Sequence, residues 1–320
     1  MSVLSKKVWL GVGASVSLAG AALFHYFSDM AIKRKAPKIP GRIQKGIDRE
    51  QQDDLFHGKN DPAAAALKAL PREDVTIQSN DGLTLYGRIF VPEQPKRVIL
   101  LMHGWRSSWR KDYGVLVKGL LARDCILCFP DERAHGKSEG KYITYGFREK
   151  EDCVLWANFL AQRYPDFPLY LWGMSMGATT VMLASGQKGL PKQLCGIVAD
   201  CGFTCAKEEF QHLIRQKLPG TEKFLTELYR RRFLHRCGFD IAGENTAEAL
   251  KRNPYPILFF HGNNDVFVPT EMTKRNYAAA IAEKEMVLID GAAHCKSFHV
   301  DPDTCFAKAE DFFARCEEPA

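Results

Sequence analysis

Ser175 sits between two glycines and is the first residue in this chain with chemistry to offer. In "LYLWGMSMGATTVML", residues 169 to 183, it stands two positions from Gly173 and from Gly177. The bulky run Leu169, Tyr170, Leu171, Trp172 gives way there to a helical pattern from Ala178 to Leu183, which places Ser175 at a strand-to-helix junction. Such a junction is a sharp turn that holds a side chain out of a sheet, and small neighbours on each side let the backbone turn without a clash. A serine hydroxyl is a weak nucleophile at neutral pH. It needs an imidazole to take its proton and a carboxylate to hold that imidazole in the right tautomer. Candidates for both follow in the chain. "HGNNDVFVP" puts Asp265 just beyond the apolar run "PILFF", and "LIDGAAHCKSF" puts His294 just beyond "EMVLID". The helix after Ser175 aims its first amides at the same place, so the Met176 amide is a candidate oxyanion donor. The chemistry of such a set is acyl transfer through a covalent intermediate on Ser175.

These side chains must be carried by a scaffold. Strand-like apolar runs recur as "RVILLMH", "CILCFP", "LYLWG", "CGIVAD", "PILFFHG" and "EMVLID", with helical patterns near residues 146 to 163, 176 to 187, 270 to 282 and 303 to 315. This alternation predicts an α/β fold with a mostly parallel sheet covered by helices on both faces. Asp265 and His294 then fall at C-terminal strand ends, where open parallel sheets bind ligands. Ahead of it, "VTIQSNDGLTLYGRIFVP" alternates apolar and polar residues around Asn80, Asp81 and Gly82 and predicts an antiparallel hairpin. From Phe203 to Arg252 there are two helical patterns and no strand, which reads as a helical lid inserted over the sheet. Its apolar faces are Phe210, Leu213, Ile214 and Leu218 on the first helix and Phe224, Leu225, Leu228 and Tyr229 on the second. The rival reading is an ordinary packing helix pair away from the site.

The set of motifs resembles the α/β-hydrolases, in the serine aminopeptidase (S33) and monoglyceride-lipase-like group, and is similar to bacterial membrane-anchored members. The matching stretches are "MHGW" at 102 to 105, "DERAHGKSEG" at 131 to 140, "GMSMGA" at 173 to 178, "HGNNDVFVP" at 261 to 269 and "GAAH" at 291 to 294. The resemblance implies an α/β-hydrolase fold with Ser175 as nucleophile, Asp265 as acid, His294 as base, and the backbone amides of Trp105 and Met176 as the oxyanion hole. His103 and Gly104 match the turn that sets the Trp105 amide, with His103 expected as a loop brace. Ala134 stands where many relatives carry glycine, and Arg133 and His135 are expected to brace loops. Asp200, at the end of "CGIVAD", is the alternative acid, because some relatives place theirs after the preceding strand. Relatives that open carbon–halogen bonds or epoxides use aspartate at the nucleophile position, so the serine argues against those reactions.

Composition narrows the function further. The chain has 320 residues, 46% apolar and 26% charged, enough for one catalytic domain with an insertion. Its net charge of +6 is spread through mixed acids and bases, with no basic run interleaved with aromatics, which argues against nucleic acid as a partner. The ten cysteines lie in strand-like and helix-like segments and are expected as free thiols. Cys125 and Cys128 form a C-x-x-C inside a strand pattern, where residues three apart face opposite ways. The nine histidines are scattered and none forms H-E-x-x-H, so neither a metal nor another cofactor is expected. Between Val8 and Ser28 there is no Asp, Glu, Lys or Arg, about the roughly 20 residues a spanning helix needs. Residues 1–30 are therefore expected as a membrane anchor, a cleaved signal sequence being the rival, and 31–73 as linker and lead-in. Residues 74–320 are expected as the hydrolase domain, with its helical lid at about 203–252. Lys33, Arg34, Lys35, Lys38, Arg42 and Lys45 after the segment outnumber Lys6 and Lys7 before it, which leans the domain to the cytoplasmic side.

The expectation is a serine hydrolase of a lipophilic carboxylic ester, such as an acylglycerol. An amidase or aminopeptidase, a thioesterase and an acyltransferase share the same triad, and a non-catalytic scaffold is the remaining alternative. The run Arg230, Arg231, Arg232 in the lid reads either as a solvated helix face or as a site for acidic headgroups.

Overall fold

The computed structural model describes residues 20–35, 67 and 70–318. The strands are β1 (Glu73–Gln78), β2 (Thr84–Phe90), β3 (Arg97–Met102), β4 (Cys125–Pro130), β5 (Leu169–Met174), β6 (Leu194–Asp200), β7 (Ile257–Gly262) and β8 (Lys284–Ile289). They form one eight-stranded sheet in the order β1-β2-β4-β3-β5-β6-β7-β8. β1 and β2 make the expected antiparallel hairpin, β2 meets β4 antiparallel, and every pairing from β4 to β8 is parallel. This is the α/β-hydrolase fold, a mixed but mostly parallel sheet flanked by helices.

The central strands read as unbroken apolar runs because both of their faces are covered. Alternate residues separate into two cores: Ile99 and Leu101 of β3 face one, Val98 and Leu100 the other. The first core is closed by α1 (Trp109–Tyr113), α2 (Val117–Leu121) and, from the far end of the chain, α9 (Ser297–Val300) and α10 (Pro302–Glu317). The second is closed chiefly by α3 (Glu149–Arg163), through Trp156 and Leu160, and α4 (Met176–Ser185), through Val181 and Ala184. Cys125 enters the first core and Cys128 the second, so the C-x-x-C does point to opposite faces, and all ten cysteines are free.

The insertion holds α5 (Ala206–Lys217), α6 (Glu222–Cys237) and a short α7 (Thr246–Leu250), and α8 (Thr270–Ala279) follows β7. The two long helices of the insertion are where expected, and Phe210 and Tyr229 of the expected apolar faces do pack inward, but the faces do not hold along the whole pair. Leu218 is 55% exposed and Phe224 68% exposed, while Phe233, which periodicity did not single out, is fully buried. Phe233 packs with Met176, Phe203, Phe239 and Val268 in a third apolar cluster. The helix pair is therefore anchored through its C-terminal end, and its hairpin tip stands in solvent.

That cluster also takes in the chain ahead of the sheet. Residues 20–32 are helical, and Ala31 and Ile32, expected to begin a linker, are buried against the lid. The Ile143 amide donates to the Ile32 carbonyl at 2.7 Å and the Arg34 amide to the Lys141 carbonyl at 2.9 Å. Asp29 pairs with Lys33 at 2.6 Å and with Arg232 at 2.9 Å, and the Phe24 ring lies 4.9 Å from that of Tyr229. Arg230 pairs with Asp240 and Arg231 with Glu227, so each of the three lid arginines already has a carboxylate in the chain. Residues 1–19, most of the expected membrane segment, lie outside the described residues. Among the described residues no helix is long and apolar enough to cross a membrane.

Candidate active site

Ser175 closes the turn from β5 into α4 with φ 55° and ψ −117°, a conformation that costs a non-glycine residue energy. Its amide donates to the Asp200 carbonyl at 2.8 Å, tying the turn to β6. The flanking glycines are there for space. A Cβ on Gly173 would lie 2.1 Å from the Gly177 carbonyl oxygen, and one on Gly177 would lie 1.8 Å from that of Met102. No side chain of any size fits either position.

Asp265 and His294 come from the loops beyond β7 and β8. Those loops hold each other: the Asn264 amide donates to the Ala292 carbonyl at 3.0 Å, and the Gly291 amide to Asn263 Oδ1 at 2.8 Å. The result brings three sequence-predicted residues into one buried chain. His294 Nδ1 lies 2.6 Å from Asp265 Oδ2, and His294 Nε2 lies 2.9 Å from Ser175 Oγ. With Nδ1–H donating to the carboxylate, Nε2 is left to accept the serine proton. The other Asp265 oxygen accepts from the Phe267 and Val268 amides, each at 2.9 Å.

Electrostatics follow from these contacts. Burial works against the Asp265 carboxylate, but His294 and His261 beside it hold it well below the usual carboxylate range. Burial likewise works against the His294 cation; the Cys201 sulfur and Asp265 work for it and leave it well above an ordinary imidazole. Asp200, the alternative acid, makes no hydrogen bond to His294. Its Oδ1 accepts only a long bond of 3.4 Å from Ser297, its Oδ2 has no partner, and burial pushes it up to about 6.

The loop after β3 approaches from the other side. Gly104 is so close that a Cβ there would lie 3.3 Å from that of Ser175. The amides flanking Trp105 are both tied to side chains, Gly104 to Asp112 Oδ2 at 2.6 Å and Arg106 to His135 Nε2 at 3.0 Å. This fixes the loop around the Trp105 amide. Met176 is the first residue of α4, where helical amides have no intrahelical acceptor. His103 Nε2 accepts from the Glu132 amide at 3.1 Å, a brace as expected. Burial, with His103 alongside, takes His135 down to about 3 and keeps it a neutral acceptor. Arg133 makes a two-bond pair with Asp152 at 2.6 Å and reaches Asp81 at 3.0 Å, while Ala134 has φ 61°, which explains why glycine suits that position.

Residues that sequence reasoning did not single out complete the site. Asp112 orients the Gly104 amide, and His261 stands 3.1 Å from Asp265 with Thr273 on its other nitrogen. His261 lies inside the quoted acid-loop motif, four residues before the acid, which was a usable signal; Asp112 carried none. The Trp105 indole donates to the Ala31 carbonyl at 2.8 Å, and Arg106 to the Met30 carbonyl at 2.8 Å, so the N-terminal helix rests on this loop. Above the site, α5 reaches the acid loop through His212 and Gln216, both on the Val266 carbonyl. Glu209 of α5 is buried without a hydrogen-bond partner among the described residues, in the field of His294 and Asp265. α5 of the insertion thus contacts the loop that carries Asp265. A cleft lined by Trp105, Lys111, Ser175, Phe267, His294 and Lys296 opens between these elements. Among the described residues one set of metal-ligating atoms comes together, from Cys201, His294 and Cys295.

Sheet order, a serine at the turn after the fifth strand, and an aspartate and a histidine in the last two strand loops are those of the α/β-hydrolase fold. The family model of the serine aminopeptidases (S33) matches residues 93–235 of the chain. The chain is 24% identical over 321 residues to the uncharacterized protein YqkD of Bacillus subtilis, covering 96% of this chain and 97% of that one. It is 26% identical over 209 residues to lysophosphatidylserine lipase ABHD12 of Danio rerio, covering 63% of this chain and 51% of the relative. Among solved structures it resembles the Pyrococcus furiosus esterase Pf2001, with a TM-score of 0.63 at 23% identity over 81% of this chain and 95% of that one. The function these findings carry is that of a serine hydrolase of the α/β-hydrolase family.

Proposed function

We propose that this chain hydrolyses a lipophilic carboxylic ester through an acyl-enzyme on Ser175. The observation that carries the reading is the unbroken contact from Ser175 Oγ through His294 to Asp265 at a strained turn beside the cleft. Ser175 Oγ attacks the ester carbonyl as its proton passes to His294 Nε2, and Asp265 stabilises the imidazolium. The Trp105 and Met176 amides receive the oxyanion, each such donor contributing roughly 10² to 10³ in turnover. The imidazolium then protonates the departing alcohol, and water, deprotonated by His294, releases the acid and restores the serine.

The lipophilic preference rests on the aromatic rings of Trp105 and Phe267 lining the cleft, and on the lipase named among the relatives. The uncharged run Val8–Ser28 supports a further proposal, that the N-terminal segment holds the enzyme at a membrane. Its last residues serve another purpose, since Phe24 and Asp29 contact the lid. The family's description as a serine aminopeptidase favours amides as the second reading.

The test is hydrolysis of p-nitrophenyl esters from short to long acyl chains, beside aminoacyl p-nitroanilides and beside Ser175→Ala. The expected result is ester turnover with a medium or long chain optimum, falling on the order of 10⁴ to 10⁶ in the variant. Faster turnover of the anilides would transfer the reading to an aminopeptidase, and product esters with added glycerol to an acyltransferase.

A further inference from the structure

Two cysteines flank the catalytic base from below. Cys201 follows Asp200 at the end of β6, Cys295 follows His294, and both hold left-handed backbone, φ 48° and φ 58°. Such conformations persist in non-glycine residues only where the surroundings enforce them. Here they bring the two sulfurs to 3.5 Å. One ligating atom each from Cys201, His294 and Cys295 lie within 4.8 Å of one another. Cys201 is fully buried, whereas Cys295 lines the cleft and gives an ion a way in. Beside them stands Asp200, whose buried Oδ2 has no partner and whose charge acts on both thiols and on His294.

We propose that Cys201, Cys295 and His294 form a site for a borderline-soft divalent cation such as zinc, and that its binding switches the hydrolase off. Zinc binds sulfur at about 2.3 Å in a tetrahedron, which sets two thiolates about 3.8 Å apart, so the observed pair needs little movement. Two sulfurs and an imidazole select zinc or cadmium over magnesium or calcium. The ion displaces one proton from each thiol into solvent, and a water completes the shell, with the orphan Asp200 oxygen as its acceptor. Inhibition follows from the ring itself: Nδ1 is held by Asp265 and Nε2 by Ser175, so an ion on either nitrogen removes a member of the triad. Because the ion displaces the thiol protons, capture strengthens as pH rises.

The reduced full chain is titrated with cadmium chloride while the ultraviolet sulfur-to-cadmium charge-transfer band is followed, without substrate. The expected result is a band saturating at one equivalent in wild type and in Ser175→Ala, and lost at that equivalent in Cys201→Ala and Cys295→Ser. In the ester assay, the zinc concentration for half inhibition rises at least about tenfold in Cys201→Ala, each protein being compared with its own metal-free rate. A band unchanged by both cysteine substitutions, or equal zinc sensitivity, overturns the proposal. So does a Cys201–Cys295 disulfide in the isolated protein, seen as two missing thiols. If Cys201→Ala does not fold, Cys201→Ser carries the same comparison. Because the band needs no substrate, failure of the esterase reading leaves this test standing.

Discussion

Replacing Asp265 by asparagine removes one charge and changes no volume, and the structure dictates which way the new amide faces. Asp265 Oδ1 accepts the Phe267 and Val268 amides at 2.9 Å, so the asparagine carbonyl must stay on that side. Its NH₂ then occupies the Oδ2 position, 2.6 Å from His294 Nδ1. Two donors cannot face each other there, so Nδ1 becomes the acceptor and the ring proton moves to Nε2. Nε2 then presents a proton to Ser175 Oγ, from which it stands 2.9 Å, and cannot take one. A wrong tautomer of this kind costs about 10⁴ in turnover, or about 5.5 kcal/mol. Asp200→Asn touches no triad atom and is expected to cost less than about tenfold, since it alters only the field on the site. The assay is kcat on a p-nitrophenyl ester for both variants, with thermal unfolding to establish that each is folded. A folded Asp265→Asn within tenfold of wild type, or a larger loss in Asp200→Asn, would refute the reasoning.

Other outcomes follow from the same geometry. Gly177→Ala puts a Cβ 1.8 Å from the Met102 carbonyl and is expected to destabilise by more than the roughly 1–3 kcal/mol of ordinary overpacking, measured by urea unfolding. Arg133→Met leaves Asp152 buried and unpaired, an expected loss of about 3–5 kcal/mol that the double variant Arg133→Met, Asp152→Leu partly restores in the same assay. Because His294 must be neutral to act and its pKa is raised above 6.5, kcat/KM should fall as pH drops through a value above 6.5; a midpoint below that in the pH–rate profile contradicts the assignment of charges around it.

What could be read in the sequence is what chemistry and burial constrain locally. The turn at Ser175 needs Gly173 and Gly177 whatever surrounds it, and strands buried on both faces must be apolar throughout, so the turn and sheet were both legible. Cys125 and Cys128 could be assigned to opposite faces from strand period alone. The lid's burial was not legible, because the periodicity of Leu218 and Phe224 describes a face without saying what covers it. Phe233 is buried because Phe203 and Val268, from distant segments, converge on it with the nearby Phe239. The same holds for Asp29 with Arg232 and for Ala31 with Trp105, pairs whose partners lie far apart in the chain. Cys201 and Cys295 read as ordinary core cysteines until two left-handed residues bring them together beside His294.

The central claim is that Ser175 is an activated nucleophile, and covalent capture tests it most directly. The intact protein is treated with a fluorophosphonate, and the adduct is counted by mass and located by peptide mapping. The account predicts one adduct, on Ser175, forming much more slowly in His294→Ala. An unlabelled Ser175 in folded protein, or labelling at equal rate without His294, would contradict it.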